Sequence, residues 1–93
     1  MTVEVTDHPD RGRYEVTVDG LSVGHADYVL AGDVITLTHT EIEPAHQRQG
    51  FGSVLVRHCL DDARQRSLRV IPLCPFVSAW LARHPDYADV VYA

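Results

Sequence analysis

Residues 34–53 decide the fold, and they read VITLTHTEIEPAHQRQGFGS. The first part, residues 34–42, is rich in β-branched side chains, which favour a β-strand, and Pro44 ends that pattern. Gly50 and Gly52 follow, directly before a segment in which apolar residues recur every three or four positions. That spacing is typical of an amphipathic helix. We therefore expect a strand that leads into a helix through a glycine turn.

The pattern downstream of this turn completes a β-α-β unit. The helix is predicted from Phe51 to about Arg66, and Leu68 to Leu73 form a short, mostly buried strand. The strand, the helix and the following strand, from Ile35 to Val70, constitute the unit. Pro75 opens a second helix that ends before Pro85. Residues 90–92 add a candidate for one more short strand.

The pattern upstream of the turn predicts an antiparallel meander. Three segments have strand character, at residues 2–6, 13–18 and 21–30. The turns between them contain glycine and aspartate, with Asp19-Gly20 as the clearest hairpin signal. We expect one α/β (α+β) domain over residues 1–93, with two helices and a mixed sheet built from the meander and the β-α-β unit.

Composition excludes several classes of function. The chain has 93 residues and a net charge of −5, and its eight cations are all arginine. An acidic protein is poorly suited to non-specific nucleic-acid binding, which neutralises phosphates. No apolar run reaches the ~18 residues that span a bilayer, and Met1-Thr2-Val3-Glu4 lacks the pattern of a signal peptide. We therefore expect a cytoplasmic protein without membrane or nucleic-acid partners, whose two cysteines stay reduced.

The glycine turn has the features of a phosphate-binding site. Glycines let backbone amides approach an anion, and the following helix adds its own free N–H groups and the positive end of its dipole. Such an arrangement binds pyrophosphate. A Rossmann site is excluded because Leu55 occupies the third glycine position, and a P-loop is excluded because the chain has no lysine. From spacing alone, a turn that only relieves a tight strand-to-helix connection remains an equal interpretation.

Two blocks of sequence resemble the GNAT superfamily of N-acetyltransferases. HTEI at residues 39–42 followed by QRQGFGS at residues 47–53 is similar to its acyl-CoA motif, Q/R-x-x-G-x-G/A. LRVIPLCPFV at residues 68–77, with Trp80-Leu81 and HPDY at residues 84–87, resembles a small branch known as GNAT-like N-acetyltransferase-domain proteins. The resemblance covers roughly residues 36–87. Members of that branch lack the N-terminal helices that build the acceptor site in full-size enzymes.

The resemblance implies acetyl-CoA as cosubstrate. CoA would enter a split between strand 34–42 and strand 68–73, with its thioester beside His39 to Glu41. The backbone amides of the turn would hold its pyrophosphate. The residues assigned to CoA binding are Gln47, Arg48, Gln49, Gly50, Phe51, Gly52 and Ser53.

Three residues are candidates for catalysis. Cys74 precedes Pro75 at a helix start, where dipole and free amides stabilise a thiolate, and the resemblance puts it near the thioester. His39 alternates with Ile35 and Leu37 along its strand, so it is expected in the core or facing the cleft. As a base, it would deprotonate an ammonium acceptor, and Glu41 on the same face is the second candidate base. Packing for Cys74 and a structural hydrogen bond for His39 are the alternatives.

The sequence thus predicts an N-acetyltransferase that transfers acetyl from acetyl-CoA to an unidentified amine. Two alternatives remain: a module that binds acyl-CoA without turnover, and an interaction module whose glycine turn binds nothing. No metal site is predicted, because His8, His25, His58 and His84 show no metal-ligand spacing with cysteines or carboxylates.

Overall fold

Five strands form one sheet whose spatial order is their order in the chain. The computed structural model describes all 93 residues. The first four strands pair antiparallel, and the fifth joins parallel to the fourth, as the predicted meander and β-α-β unit require. The strands are β1 (Val3–His8), β2 (Arg13–Val18), β3 (Leu21–Ala31), β4 (Val34–Ile42) and β5 (Arg69–Pro72).

Tight turns join the strands of the meander. Asp19 and Gly20 both have positive φ, at 50° and 84°, so they form the hairpin that the sequence predicted between β2 and β3. β1 extends two residues beyond its predicted end, and a 3₁₀ turn at Pro9–Arg11 links it to β2. No α-helix therefore lies between the strands of the meander.

Both predicted α-helices are present. α1 (Phe51–Gln65) connects β4 to β5, and α2 (Pro75–Ala82) follows β5. Further 3₁₀ turns lie at Pro44–His46 and Pro85–Val90. The proposed last strand at residues 90–92 is reduced to a single bridge between Val70 and Val91, because the chain is still in a 3₁₀ turn at Val90.

One apolar core lies between the helices and one face of the sheet. Its members are entirely apolar, and the largest, Trp80, is 1% exposed. The indole nitrogen of Trp80 donates a hydrogen bond to the Ser53 hydroxyl at 2.8 Å and so ties α2 to the first turn of α1. The other face of the sheet, which we call the outer face, has no helix over it. It carries charged and polar residues that include Arg13, Glu15 and His25.

A β-bulge in β4 reverses the direction of its side chains. Tyr28 pairs with Leu37, but Asp27 pairs with His39, so Thr38 is an extra residue on β4. Ile35 and Leu37 before the bulge are buried in the core, whereas His39 and Glu41 after it are exposed on the outer face. The expectation that His39 shares a face with Ile35 and Leu37 is therefore wrong. Thr40 and Ile42 take the side that points toward the helices.

Candidate functional site

β4 and β5 separate halfway along β4. They pair only between Val34–Leu37 and Arg69–Pro72. The amide of Cys74 makes the last link, donating to the Leu37 carbonyl at 2.9 Å. Beyond it, residues 38–42 continue alongside β3 with no strand on their other edge. The sheet thus contains a split at the position that the sequence predicted, with one free strand edge along it.

Six consecutive backbone N–H groups, from Arg48 to Ser53, donate to no protein acceptor. The flanking amides are both used, since Gln47 donates to the Pro44 carbonyl and Val54 to the Gly50 carbonyl. Arg48 has φ 65° and Gly50 has φ 84°, so the chain curls between the 3₁₀ turn and α1. A run of free amides at the start of a fifteen-residue helix has the geometry and the electrostatics of an anion site.

Three side chains of this turn have structural partners. Gln47 Nε2 donates to the Ile42 carbonyl at 3.0 Å and closes the connection between β4 and the turn. Phe51 is 4% exposed and belongs to the core. Ser53 accepts the hydrogen bond from Trp80. Phe51 and Ser53 can still offer a ligand their backbone amides, whereas the Gln47 amide is already bonded to the Pro44 carbonyl. The exposed side chains of Arg48 and Gln49 remain available.

Two open cavities meet at the free end of β4. One, of about 460 Å³, lies on the helix side and is lined by the glycine turn with Thr40, Ile42 and Phe76. Gly52 leaves room for Phe76, because a Cβ there would stand 2.8 Å from its ring. The other cavity, of about 610 Å³, is polar and includes His25, His39 and Glu41. Thr40, Ile42 and Gln47 line both.

Cys74 is the N-cap residue of α2, and its sulfur lies 3.5 Å from Thr40 Oγ1. Burial raises the pKa of its thiol, but the Thr40 hydroxyl and the amides of Val77, Phe76 and Thr40 more than offset this, so the pKa lies below its usual value. As a thiol Cys74 donates to Thr40, and as a thiolate it accepts from it.

The second cysteine has the opposite electrostatic environment. Cys59 lies on the core side of α1, where it is 2% exposed. Burial first, and then the nearby carboxylates of Asp62 and Asp7, raise the pKa of its thiol well above its usual value. Of the two cysteines, only Cys74 therefore lies in an environment that favours the thiolate.

The three candidate catalytic residues do not meet on one face of the sheet. Cys74 contacts β4 from the helix side, whereas His39 and Glu41 lie on the outer face. Thr40 was not singled out from the sequence. Its position between His39 and Glu41 was the available signal that it lies at the site. His25 was also missed, although it pairs with Glu41 across β3 and β4.

Neither α-helix has the length and apolar character needed to cross a membrane.

Solved structures with the same fold are N-acetyltransferases or proteins related to them. The solution structure of a GCN5-like candidate N-acetyltransferase from Staphylococcus aureus matches 97% of this chain and 88% of its own, with a TM-score of 0.74 at 21% identity. The ribosomal-protein-S18-alanine N-acetyltransferase from Escherichia coli matches 62% of this chain at 27% identity and a TM-score of 0.59. This match spans only 38% of the length of the Escherichia coli enzyme.

A third structural relative contains CoA. N-acetylglutamate synthase from Neisseria gonorrhoeae, complexed with coenzyme A and N-acetyl-glutamate, matches 91% of this chain and 26% of its own, with a TM-score of 0.59 at 16% identity. No functionally curated protein is similar enough in sequence to give a match. The model of the GCN5-related N-acetyl-transferase family matches residues 13–90, from β2 to the end of the last 3₁₀ turn. The chain therefore belongs to the GCN5-related N-acetyltransferase (GNAT) family.

Proposed function

We propose that this protein binds acetyl-CoA in the split beside β4 and transfers the acetyl group to an amine. The observation that carries the proposal is the run of six free amides from Arg48 to Ser53, next to the free edge of β4. A pyrophosphate supplies oxygen acceptors for such a run, and the α1 dipole favours its negative charge. The family to which the chain belongs and the CoA complex of a relative with the same fold support this choice of ligand.

The pantetheine arm of CoA is proposed to leave the turn through the apolar side of the 460 Å³ cavity. Ile42 and Phe76 line that side, and Thr40 stands at its end. The arm carries amide groups, and the edge of β4 at residues 38–42 is the strand edge that can hydrogen-bond to them. The thioester then lies near Thr40, between Cys74 on one face and His39 and Glu41 on the other.

We propose that the amine enters from the outer face. His39 or Glu41 takes a proton from the ammonium form, because only the neutral amine has a lone pair for attack on the thioester carbonyl. The new C–N bond forms as the C–S bond breaks, and CoA leaves as a thiolate. Cys74, on the opposite side of Thr40, is the proposed donor of the proton that this thiolate takes up. The base and the acid thus lie on opposite faces of β4, so a proton does not pass directly from one to the other.

A second route uses Cys74 as a nucleophile that carries the acetyl group before the amine takes it. Its lowered pKa favours this route, whereas its burial and its place behind Thr40 favour direct transfer. Trapping of an acetyl group on Cys74 in the absence of amine, read by intact-protein mass spectrometry, would select the second route. We place either reaction in the cytoplasm, where thiols remain reduced.

The test measures binding and turnover separately. Calorimetry with CoA reports binding, and thiol release from acetyl-CoA with a panel of small amines and peptide N-termini reports transfer. We expect saturable CoA binding and amine-dependent release. Binding without release from any amine would replace the enzyme by the non-catalytic acyl-CoA-binding module. Absence of CoA binding would overturn both.

A further inference from the structure

We propose that the outer face of the sheet binds a late first-row transition-metal ion, with Zn²⁺ as the ion to test, through His25, His39 and Glu41. One potential ligand atom from each of these side chains lies within 4.8 Å of the other two. Two imidazoles and one carboxylate are a ligand set for Zn²⁺, Ni²⁺ or Cu²⁺ and not for Mg²⁺ or Ca²⁺, which require oxygen.

The backbone brings the three residues together. His25 and Glu41 are paired directly across β3 and β4, and His39 precedes Glu41 by two positions on the same face. The bulge is essential, because a regular strand with Thr38 in its alternation would turn His39 and Glu41 toward the helices. Thirteen residues separate the two histidines in the sequence, which hides the cluster from a search for short metal motifs.

The surrounding charges leave these ligand atoms free. Arg13 lies between Glu15 and Asp27, at 3.7 Å and 3.5 Å, and so partly neutralises both carboxylates. Glu41 and His39 have no ion-pair partner, and His25 has only a 3.7 Å approach of its Nε2 to Asp27 Oδ2. The His25 and His39 rings lie 6.2 Å apart, tilted rather than stacked. The three side chains therefore lie close together without an ion pair or hydrogen bond between them.

Modest rotations would complete the site. Zn²⁺ with bonds of about 2.0–2.1 Å holds neighbouring tetrahedral ligands about 3.4 Å apart. The ligand atoms must therefore approach by about 1.4 Å in the widest pair, since they now lie within 4.8 Å. His39 and Glu41 are exposed and free to move, and the polar cavity beside them admits water as the fourth ligand.

Metal binding and the proposed proton transfer use His39 and Glu41 in mutually exclusive ways. The nitrogen or oxygen atom that ligates Zn²⁺ uses the lone pair that would take the proton of an ammonium group, and the charge of the ion lowers the basicity of the remaining carboxylate oxygen. Zn²⁺ on this face would therefore inhibit acetyl transfer. The metal site itself does not depend on the proposed function, and it is tested without any activity measurement.

The experiment titrates Zn²⁺ into the chain, prepared without an affinity tag, by calorimetry. We expect one ion per chain, and at least tenfold weaker binding, about 1.4 kcal/mol, in His25→Ala. The matched control is His58→Ala, which removes an exposed histidine on α1 outside the cluster. Glu41→Gln, which keeps the side-chain shape, gives the same tenfold test should His25→Ala fold poorly by circular dichroism.

Co²⁺ adds a spectroscopic test of ligand identity. We expect visible bands of four-coordinate nitrogen and oxygen ligation without the intense near-ultraviolet band of thiolate ligation. The proposal is overturned by absence of Zn²⁺ binding, by equal weakening in the His58 variant, by unchanged binding in both cluster variants, or by a thiolate band that assigns the ion to a cysteine.

Discussion

The sulfur of Cys74 lies 3.5 Å from the Thr40 hydroxyl oxygen, which joins the start of α2 to the free end of β4. Because this hydroxyl and nearby amides stabilise the thiolate, the pKa of Cys74 is lowered, whereas burial and nearby carboxylates raise that of Cys59. We expect iodoacetamide to modify Cys74 first, as read by peptide mapping. Thr40→Val removes a donor to the thiolate, so it raises the pKa and slows labelling at neutral pH.

CoA is expected to protect Cys74 in the same experiment, since the proposed thioester position lies beside Thr40. The unfolded protein, in which both cysteines label alike, serves as the control. Faster labelling of Cys59 in the native state would contradict the assignment of the reactive thiol.

Gly50 and Gly20 allow a controlled test of the phosphate turn. Both have φ 84°, and a Cβ at either would meet no atom within 4 Å. Alanine at either position costs about 1–2 kcal/mol of backbone strain, and urea unfolding should show similar losses. Glutamate adds a negative charge, which at Gly50 faces the proposed pyrophosphate site. We expect Gly50→Glu to weaken CoA binding at least tenfold, about 1.4 kcal/mol by calorimetry, whereas Gly20→Glu leaves it unchanged.

Equal CoA affinity in Gly50→Glu and the parent would remove the turn from the binding site. Equal loss in both glutamate variants would instead attribute the effect to net charge.

The base is tested on the outer face. The double variant His39→Gln, Glu41→Gln removes both candidates while it keeps polar side chains of similar size. We expect kcat for acetyl transfer to fall about 10²–10⁴-fold, with CoA affinity near that of the parent, because the proposed CoA contacts lie on the helix side of β4.

Cys74→Ala should lower kcat within the same range if its thiol protonates the leaving thiolate.

His58→Gln is the control for the loss of a histidine. If the double variant transfers acetyl at the parent rate, solvent takes the proton of the ammonium group, and His39 and Glu41 have no part in the chemistry.

Ser53 is predicted to matter for stability more than for ligand affinity. Ser53→Ala leaves the indole N–H of the buried Trp80 without its acceptor, which costs about 1–3 kcal/mol. Ser78→Ala, at an exposed position on α2, should change stability by less than about 0.5 kcal/mol. Urea unfolding measures both. Since the backbone amide of Ser53 is retained, the Kd for CoA should stay within about threefold of the parent value, which corresponds to roughly 0.6 kcal/mol of binding free energy. A stable Ser53 variant with greatly weakened CoA binding would give the hydroxyl a direct role.

The sheet order, both helices and the glycine turn follow from local patterns in the sequence, because periodicity and turn residues act over a few positions. The orientation of His39 does not. It depends on Thr38, an extra residue opposite Asp27 and Tyr28, and neither glycine nor proline marks that bulge. Strict alternation therefore assigned His39 to the side of Leu37. The contact between Cys74 and Thr40 also escaped prediction, since it depends on how α2 packs against β4 across 34 residues of sequence.

After the bulge at Thr38, alternate residues of β4 face opposite sides of the sheet. Odd positions 39 and 41 belong to the outer face, and even positions 40 and 42 belong to the helix side. Mutation can thus alter one side without disturbing the other, although the residues are neighbours in the gene. With the proposed amine site on the outer face and the proposed CoA site on the helix side, substitutions at positions 39 and 41 can change the preferred amine in evolution while the CoA site is kept. If Thr38 took part in regular alternation instead, positions 39 and 41 would point toward the helices, positions 40 and 42 would point to the outer face, and the two sides would be exchanged.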